Sequence, residues 1–438
     1  MRKIISFILL CFILIWTYNL FIDNIILLEE EKEEPYKGVI KIWDIPWEDI
    51  TRGNHFAWLR ERIHVFERRN PGVYIEFTTM DEDSLNLSLK DNNLSMEDMP
   101  DIVPVNQNFR DFNILEPLDD YFTKEELEKF KHHVLRSRRY NDSLVAVPIG
   151  ISTNVMYINL DKFYERGVSP PTNGLWTYEE FVESLKELTY DSDDDGIIDE
   201  YGFLADIGDS YHIWGMILSD GGELFNYKRM EYNFYGEKAI KGLERVIDLK
   251  EKYRVVPDYF GIINKKDIWE MFYKDQKIAI AINGAWASNF LEELYSNDEG
   301  FNFDIVNFPV GDKKIPIVLS DQVLSYGVIK TQDPKKTEMC VKFLKYLTSE
   351  SNQRSLESLG LFSVNRGIND MYMEDIKMKK IEESLLYTEY IPFIENWSEY
   401  YAIIQEELRN AVLGKKASYE AIEDAKFKID TIRNKNIN

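Results

Sequence analysis

The sequence LVAVPIGISTNVMYINLDKF spans residues 144–163 and holds the most informative pattern of this chain. It is an apolar run rich in β-branched residues with a proline in its middle, a pattern that predicts two short strands joined at Pro148–Ser152. A proline cannot donate a hydrogen bond to a strand ladder. We therefore expect the chain to leave one sheet and enter a second sheet at this point.

A helix is predicted directly after this crossing, within YERGVSPPTNGLWTYEEFVESLKELTY, residues 164–190. The segment Ser169–Gly174 is typical of a turn. Thr177 then stands three residues before Glu180, which is the spacing of a capping box. Apolar residues follow at helical spacing, so we expect an amphipathic helix that begins after Thr177.

The acidic segment DSDDDGIIDEYG, residues 191–202, follows that helix and matches the calcium-loop pattern as far as position nine. The glycine at position six permits the sharp turn of such loops, whereas Gly202, at position twelve, cannot be a ligand. Carboxylates this close together repel one another unless a cation lies among them. The segment therefore predicts a calcium site with these ligands: the side chains of Asp191, Asp193, Asp195 and Asp199 and the carbonyl of Ile197.

Composition excludes several classes of function. The chain has 438 residues, enough for two lobes, and a net charge of −25, which argues against nucleic acid as a partner. Its two cysteines, Cys11 and Cys340, lie far apart in the sequence and have no motif of a disulfide, zinc site or catalytic thiol. The sequence has no catalytic triad and no phosphate-binding glycine loop, so we expect a protein that is not an enzyme.

The N-terminal sequence predicts a membrane anchor. The uncharged apolar run Ile4–Ile22 is long enough to cross a bilayer, and Arg2 and Lys3 before it orient the N-terminus inward. We assign residues 1–28 to a signal or anchor segment and residues 29–35 to an acidic linker. A cleaved signal peptide and a lipid on Cys11 remain alternatives.

Strands and helices alternate after this segment. The alternating sequence GVIKIW, Gly38–Trp43, predicts a first strand, and Trp58–Glu67 has helical spacing. Val73–Phe77 predicts the next strand, and this alternation indicates an α/β lobe with a sheet rich in parallel strands. No linker rich in proline, glycine or serine divides the chain, so strands are expected to join the lobes.

These patterns resemble type 1 extracellular solute-binding proteins of ABC importers, the group that includes maltodextrin-binding protein. The resemblance covers most of Gly38–Ile429. It rests on motifs that occur in the family's order: Ile40–Trp43, Phe66-Glu67, Asn70-Pro71-Gly72, Pro100-Asp101-Ile102, Val147–Phe163, Trp176–Phe181, Trp214, Gly221-Gly222, Asn283–Trp286, Phe343-Leu344, Gln353, Gly414–Lys416 and Ser418–Ala425.

The resemblance implies an α/β fold of two lobes with a ligand cleft between them, similar to periplasmic binding proteins. The first lobe would comprise residues 36–148 and 311–365, and the second lobe residues 149–310 and 366–438. Some members of the family have a similar acidic loop that is closed by the residue after position nine. By that resemblance Glu200 completes the calcium loop, residues 191–200, as a bidentate ligand.

The resemblance also places candidate ligand-binding residues, and it implies a carbohydrate ligand. Sugar faces stack on aromatic rings, and sugar hydroxyls pair with polar side chains. Val105 and Phe109 depart from maltodextrin-binding protein, so its own ligand is not implied. The candidates are Trp43, Asn106 or Asn108, Asp209, Tyr211, Trp286, and Trp397 or Tyr401.

The sequence thus predicts a monomeric receptor, held at the cell membrane on its extracytoplasmic side, that delivers a carbohydrate to the permease subunits of an ABC importer. Two alternatives stay open. One is a ligand-sensing subunit of a membrane signalling partner, which would use the same cleft. The other, less favoured, is a carbohydrate-active enzyme.

Overall fold

A computed structural model describes residues 15–18, 36–49, 53–90, 98–208, 210–229 and 231–437. Contacts divide the chain into two units, residues 1–38 and 39–438. In the first unit, residues 15–18 form a helical turn. The rest of the predicted anchor Ile4–Ile22 lies outside the described residues. In the part of the chain that the structure describes, no helix is both long and apolar enough to cross a membrane.

The strands are short, and most belong to one of two sheets. In chain order they are β1 (Gly38–Asp44), β2 (Glu48–Asp49), β3 (Gly53–Asn54), β4 (Val73–Thr79), β5 (Ile102–Pro104), β6 (Arg139–Tyr140), β7 (Ser143–Leu144), β8 (Val147–Ile151), β9 (Asn154–Asn159), β10 (Tyr201–Phe203), β11 (Phe225–Asn226), β12 (Glu231–Tyr232), β13 (Ile278–Gly284), β14 (Phe303–Val306), β15 (Val318–Ser320), β16 (Val323–Val328), β17 (Phe362–Ser363) and β18 (Thr388–Tyr390).

Helices connect and cover these strands. They are α1 (Phe56–Arg69), α2 (Glu82–Ser88), α3 (Lys124–Leu127), α4 (His132–Ser137), α5 (Leu160–Glu165), α6 (Tyr178–Glu187), α7 (Trp214–Leu218), α8 (Glu237–Glu251), α9 (Lys265–Tyr273), α10 (Trp286–Ser296), α11 (Pro334–Leu347), α12 (Glu350–Arg354), α13 (Ile376–Ser384), α14 (Trp397–Val412) and α15 (Ser418–Ile437). Short 3-10 helices occupy Phe112–Ile114, Asp119–Tyr121, Thr172–Gly174, Ser355–Leu359 and Leu385–Tyr387.

The first sheet has six strands in the order β17-β8-β16-β5-β1-β4. Strands β1 and β5 are parallel, with Ile42 opposite Ile102, whereas β16 runs antiparallel to both β5 and β8. The inward residues of β1, Ile40 and Ile42, are almost completely buried. The alternating pattern of Gly38–Trp43 therefore predicted this strand correctly.

The second sheet has four strands in the order β10-β13-β9-β14. Strand β9 runs antiparallel to both of its neighbours, and β10 is parallel to β13. Every residue of β9 is buried, and so are the residues of β13 except Asn283. Such continuous apolar strands are typical of a sheet that is covered on both faces. Together the two sheets give the two-lobed α/β fold that the sequence predicted.

The predicted crossing between sheets is present. Strand β8 belongs to the first sheet and β9 to the second, and only Ser152 and Thr153 lie between them. The junction differs from the expectation, because Pro148 lies inside β8 rather than at its end. The register shifts between Leu324 and Ser325 on the neighbouring strand, which accommodates a residue that has no N–H to donate.

The chain passes between the sheets twice more. Between β14 of the second sheet and β16 of the first lies β15, which pairs in parallel with β18 rather than with either main sheet. After β17 of the first sheet, helix α13 packs against β14 of the second sheet. The predicted lobe boundary at 148/149 falls inside β8, and the boundaries at 310/311 and 365/366 fall between strands of different sheets.

The capped helix α6 begins as the sequence predicts. The Thr177 hydroxyl accepts a hydrogen bond from the Glu180 N–H over 3.1 Å, and the Glu180 carboxylate accepts one from the Thr177 N–H over 2.8 Å. Its apolar residues Phe181 and Leu185 are completely buried. A cap of this kind stabilises a helix by about 0.5–2 kcal/mol. The acidic loop follows the opposite, C-terminal end of α6.

Candidate functional site

A cleft of about 1090 Å³ is lined by residues that follow strands of both sheets. On the side of the first sheet, it is lined by residues 45–47 after β1 and residues 105–108 after β5. On the side of the second sheet, Trp286 follows β13, and helices α9 and α14 contribute further residues. In α/β folds, ligands bind in the crevice beyond the carboxyl ends of such strands. This cleft is therefore the candidate ligand site.

Residues of the connections between the sheets form a polar floor under the cleft. The Gln322 side-chain amide donates to the Asn154 side-chain oxygen over 2.9 Å, and both residues line the cleft. Below them, the hydroxyls of Thr153 and Thr388 lie 2.7 Å apart, and the Tyr390 hydroxyl donates to the Ser152 carbonyl over 3.0 Å. These hydrogen bonds join the three segments in which the chain passes between the sheets. A hinge motion between the lobes would occur in these segments.

Most of the predicted ligand-binding residues line this cleft. Trp43 does not: it is half-buried and packs against the core of the first lobe, and Trp47 lines the cleft instead. Strand β1 continues to Asp44, so Trp43 precedes the turn that reaches the cleft. Asp209 lies outside the described residues. The predicted residues that line the cleft are Asn106, Asn108, Tyr211, Trp286, Trp397 and Tyr401.

Two asparagines after β5 hold a carboxylate in the cleft wall. The Asn106 side-chain amide donates to Glu82 over 2.6 Å, and its oxygen accepts from the Asn108 N–H over 2.9 Å. The Asn108 side chain lies 3.4 Å from the second Glu82 oxygen. The first lobe therefore presents a carboxylate with its asparagine partners, and one donor of the Asn106 amide is occupied by Glu82.

Tyr211, Trp397 and Tyr401 form a first aromatic cluster in the cleft. The Trp397 indole N–H donates to the Tyr211 hydroxyl over 3.1 Å, and the rings of Tyr211 and Tyr401 lie 4.5 Å apart at 32°. Trp397 is only 2% exposed, whereas Tyr401 is partly open. Burial raises the pKa of the Tyr211 hydroxyl well above its ordinary value. Tyr401 is thus the ring of this cluster that is available to stack on a ligand.

Gln405, one helical turn after Tyr401, extends this cluster. Its amide nitrogen donates to the Tyr401 hydroxyl and to the Ser210 carbonyl, each over 2.9 Å. Its side-chain oxygen is buried and accepts no hydrogen bond from the described residues. Gln405 also lines the cleft, so it adds a polar side chain next to the hydroxyl of Tyr401.

Trp286 belongs to a second aromatic cluster. Its ring meets Trp269 edge to face at a centroid distance of 5.5 Å and Phe290 at 6.2 Å. Trp269 is 9% exposed, while Trp286 is more open to the cleft. A Cβ on Gly284 would lie 3.1 Å from the Trp286 ring, so the glycine at the end of β13 allows the indole its position.

Charged residues of both signs lie around the two aromatic clusters. Asp321 lines the cleft, and desolvation by the surrounding protein raises the pKa of its carboxyl above the ordinary value, against the smaller opposing effects of Arg138 and Lys265. Burial lowers the pKa of His212 to about 4, which leaves this cleft residue neutral at pH 7. The site therefore offers aromatic faces together with neutral and charged hydrogen-bonding groups.

Several cleft residues were not predicted from the sequence. Lys265 and Trp269 lie on α9, and a helical pattern gives no sign that one of its faces borders a cleft. Gln322 lies in a connection between sheets, a position that only the topology reveals. The unpredicted polar and aromatic residues include Trp47, Glu82, Gln107, Asn154, His212, Lys265, Lys266, Trp269, Asn283, Asp321, Gln322, Gln405, Glu406 and Arg409.

The acidic loop after α6 brings three of its predicted ligands together. Carboxylate oxygens of Asp191, Asp193 and Asp195 all lie within 4.8 Å of one another. Gly196, with φ of 90°, donates its N–H to Asp191, in the left-handed conformation that the pattern requires. The three side chains are suited to a hard cation that prefers oxygen ligands. The Ile197 side chain is exposed, and its N–H donates to Asp195 over 2.8 Å.

The other two predicted ligands, Asp199 and Glu200, have different partners. Asp199 accepts hydrogen bonds from the Ser192 N–H and from Lys277, each over 2.9 Å. The Ser192 and Lys277 contacts lower the pKa of the Asp199 carboxyl. Glu200 is 8% exposed and pairs with Lys162 over 2.5 Å and with Lys277 over 3.1 Å. These lysines already neutralise both carboxylates, so in this geometry neither carboxylate joins the aspartate group.

Comparison with known families identifies the chain. Residues 61–382 match the bacterial extracellular solute-binding proteins. The chain belongs to this family. The match covers the strands of both sheets except β1, together with most of the residues that line the cleft.

Individual relatives are distant in sequence. This solute-binding protein is 24% identical over 305 residues to the multiple sugar-binding protein of Streptococcus mutans, covering 67% of this chain and 68% of that one. Its structure resembles that of the cyclic alpha-maltosyl-1,6-maltose binding protein from Arthrobacter globiformis, with a TM-score of 0.75 and 15% identity over 91% of this chain and 99% of that chain.

An ABC substrate-binding protein from Listeria monocytogenes, in complex with cycloalternan, is also similar. The TM-score is 0.68 and the identity 17%, covering 91% of this chain and all of the other chain. At these identities the structural comparisons establish the two-lobed fold.

Proposed function

We propose that this solute-binding protein takes up an oligosaccharide on the extracytoplasmic side and delivers it to the permease subunits of an ABC importer. The observation that carries this proposal is the pair of aromatic clusters, around Tyr401 and around Trp286, in one cleft of about 1090 Å³. Aromatic faces with adjacent hydrogen-bonding groups suit a chain of sugar rings. The sugar-binding relatives support the same conclusion.

A thermal-shift screen of the purified protein against linear and cyclic oligosaccharides tests this function. A ligand at one hundred times its dissociation constant stabilises the folded state by about 2.7 kcal/mol, which raises the melting temperature by several degrees. A panel in which amino acids, peptides or metal ions, but no saccharide, shift the transition would contradict the proposal. Mass spectrometry of each bound sugar completes the test, because we propose binding without turnover and expect the sugar to remain intact.

We propose further that the protein is monomeric and remains at the membrane through Ile4–Ile22. This segment is apolar, has no charged residue and contains 19 residues. A helix of about that length can span a bilayer. Membrane fractionation with N-terminal peptide mapping tests the anchor. A mature N-terminus anywhere between Asn19 and Tyr36, or a lipid on Cys11, would contradict it.

Calcium is the metal that we propose for the acidic loop. Its support is the convergence of Asp191, Asp193 and Asp195, whose oxygens would otherwise repel one another. Asp199 and Glu200 are held by Ser192, Lys162 and Lys277, so we propose a site built on the three aspartates with the Ile197 carbonyl. The loop is largely exposed and its residues do not line the cleft, so we propose that its role is to stabilise the second lobe.

A further inference from the structure

The turn that follows β1 reaches the ligand cleft. Residues 45–47, which include Trp47, line the cleft directly after the strand ends at Asp44. Trp47 is partly buried, and its neighbour Pro46 is exposed. The turn therefore presents an indole from the first lobe, whereas the two aromatic clusters described above belong to the second.

A buried polar network lies beneath this turn. The Asp44 carboxylate, with no exposed surface, accepts hydrogen bonds from the Tyr326 hydroxyl and from His55 Nε2, each over 2.8 Å. His55 is 1% exposed, and its Nε2 also lies 2.9 Å from the Tyr326 hydroxyl. The second Asp44 oxygen accepts from the Ile45 N–H over 2.9 Å. One carboxylate thus joins the end of β1, the start of α1 and strand β16.

The other ring nitrogen of His55 holds the far end of the turn. The backbone N–H of Trp47 lies 3.2 Å from His55 Nδ1. A backbone N–H can only donate, so Nδ1 must be the acceptor and carries no proton. The proton of the neutral ring then lies on Nε2, where it faces the Asp44 carboxylate. Since each nitrogen has a partner that suits only this tautomer, the ring is fixed in one orientation.

We propose that His55 is a positioning residue for the ligand cleft, and that it fixes Trp47 in place through the Trp47 N–H. His55 touches no ligand, because it is buried beneath the turn. Its effect on the solute passes through Trp47, which supplies the first lobe's aromatic contact. This role rests on the proposed function only in that Trp47 meets the oligosaccharide; the fixed turn itself does not depend on which solute binds.

Two substitutions of His55 separate the role of each ring nitrogen. In His55→Asn, the side-chain oxygen can take the place of Nδ1 and accept the Trp47 N–H, but the partner of Asp44 is lost. In His55→Gln, the side-chain amide can take the place of Nε2 and donate to Asp44, but the acceptor for Trp47 is lost. Tyr326→Phe removes a hydrogen bond of the same network without touching Trp47.

Hydrogen–deuterium exchange of the full-length protein without any sugar is the test. We expect the Trp47 amide to be protected in the wild type and to exchange roughly 3- to 10-fold faster in His55→Gln, as for the loss of one hydrogen bond. It should remain near the wild-type rate in His55→Asn and Tyr326→Phe. The Met80 amide, which donates to the Asp44 carbonyl over 3.0 Å, is the internal control and should not change.

An unprotected Trp47 amide in the wild type would overturn the proposal even if no variant folds. The proposal would also be overturned if the Trp47 amide exchanged equally fast in His55→Gln and His55→Asn, or if the amides of Trp47 and Met80 both exchanged faster. Either result would show that His55 stabilises this region in general and does not hold Trp47 specifically. The measurement needs no ligand. Its failure therefore overturns the positioning role alone, whereas a glycan panel without binding overturns the proposed function.

Discussion

The indole of Trp397 and the phenol of Tyr211 are joined by a hydrogen bond of 3.1 Å inside the second lobe's cleft wall. Both side chains are almost fully buried, at 2% and 9% exposure. An aromatic residue with no free polar group and little exposed surface contributes more to the shape of a site than to contact with its ligand. The pair therefore supports Tyr401, whose ring lies against Tyr211.

Tyr401→Ala should weaken sugar binding by about 1–3 kcal/mol, because it removes the open ring of this cluster. Tyr401→Phe is the matched control: it keeps the ring and removes only the hydroxyl that accepts from Gln405. Isothermal titration of the three proteins with a saccharide found in the screen measures the difference. If the alanine variant binds as tightly as the phenylalanine variant, the ring does not stack on the ligand.

Trp286→Ala should also weaken binding by about 1–3 kcal/mol, with little loss of folding stability, because the indole is partly open to the cleft. Trp269→Ala serves for comparison, since that neighbouring indole is more deeply buried and should cost mainly stability, about 3–5 kcal/mol. Denaturant unfolding and calorimetric titration of both variants distinguish the two roles. A Trp286 variant that unfolds readily while its residual binding is unchanged would show that this indole belongs to the core.

Removal of calcium should lower the melting temperature and leave sugar affinity nearly unchanged, because the acidic loop adjoins the end of α6 rather than the cleft. Asp193→Asn should have the same effect as a chelator and abolish any further response to one. Asp194→Asn is the control, since Asp194 lies in the same loop but outside the group of three, and asparagine tolerates its φ of 60°. A melting curve that a chelator does not move, with no calcium found by metal analysis, contradicts the site.

Acidification should destabilise the protein between about pH 6.5 and pH 4. Burial, with smaller contributions from Lys131 and Arg136, lowers the pKa of His133 from its ordinary 6.5 to about 4. The unfolded chain therefore binds more protons in this window, so the free energy of unfolding rises with pH through it and is lost as pH falls. His133→Gln should remove about 1–3 kcal/mol of that pH dependence.

The exposed neighbour His132 provides the control for this prediction. His132→Gln should leave the pH dependence of the unfolding free energy as it is in the wild type. Urea unfolding at pH 7 and pH 4.5 gives the comparison, and only the change between the two pH values matters, since His133 also stacks on Tyr390 at 5.7 Å. Equal pH dependence in the wild type and His133→Gln would refute the assignment.

Local patterns in the sequence predicted the elements that local physics controls. The capping box at Thr177 and Glu180 begins α6 as expected, and the apolar run around Pro148 does carry the chain from one sheet to the other. The exact junction was not predictable. Whether a strand tolerates Pro148 depends on a register shift in β16, which lies about 175 residues further along the chain.

The site was harder to predict than the fold, because it depends on partners that are distant in sequence. Asp199 and Glu200 fit the spacing of a calcium loop, but Lys277, directly before β13, pairs with both of them. The resemblance led to the prediction of Trp43 as a cleft residue, and Trp47 was not predicted. Only the point at which β1 ends decides that the second one lines the cleft.

The most direct test of the central claim is calorimetric titration of the wild type and of the double variant Trp286→Ala/Tyr401→Ala with a panel of linear and cyclic oligosaccharides. We predict that at least one saccharide binds the wild type with one-to-one stoichiometry. The double variant should bind the same saccharide at least about 30-fold more weakly, equivalent to about 2 kcal/mol, with an unchanged melting temperature in the absence of sugar. A wild type that binds no saccharide, or a double variant that binds it equally well, would contradict the account.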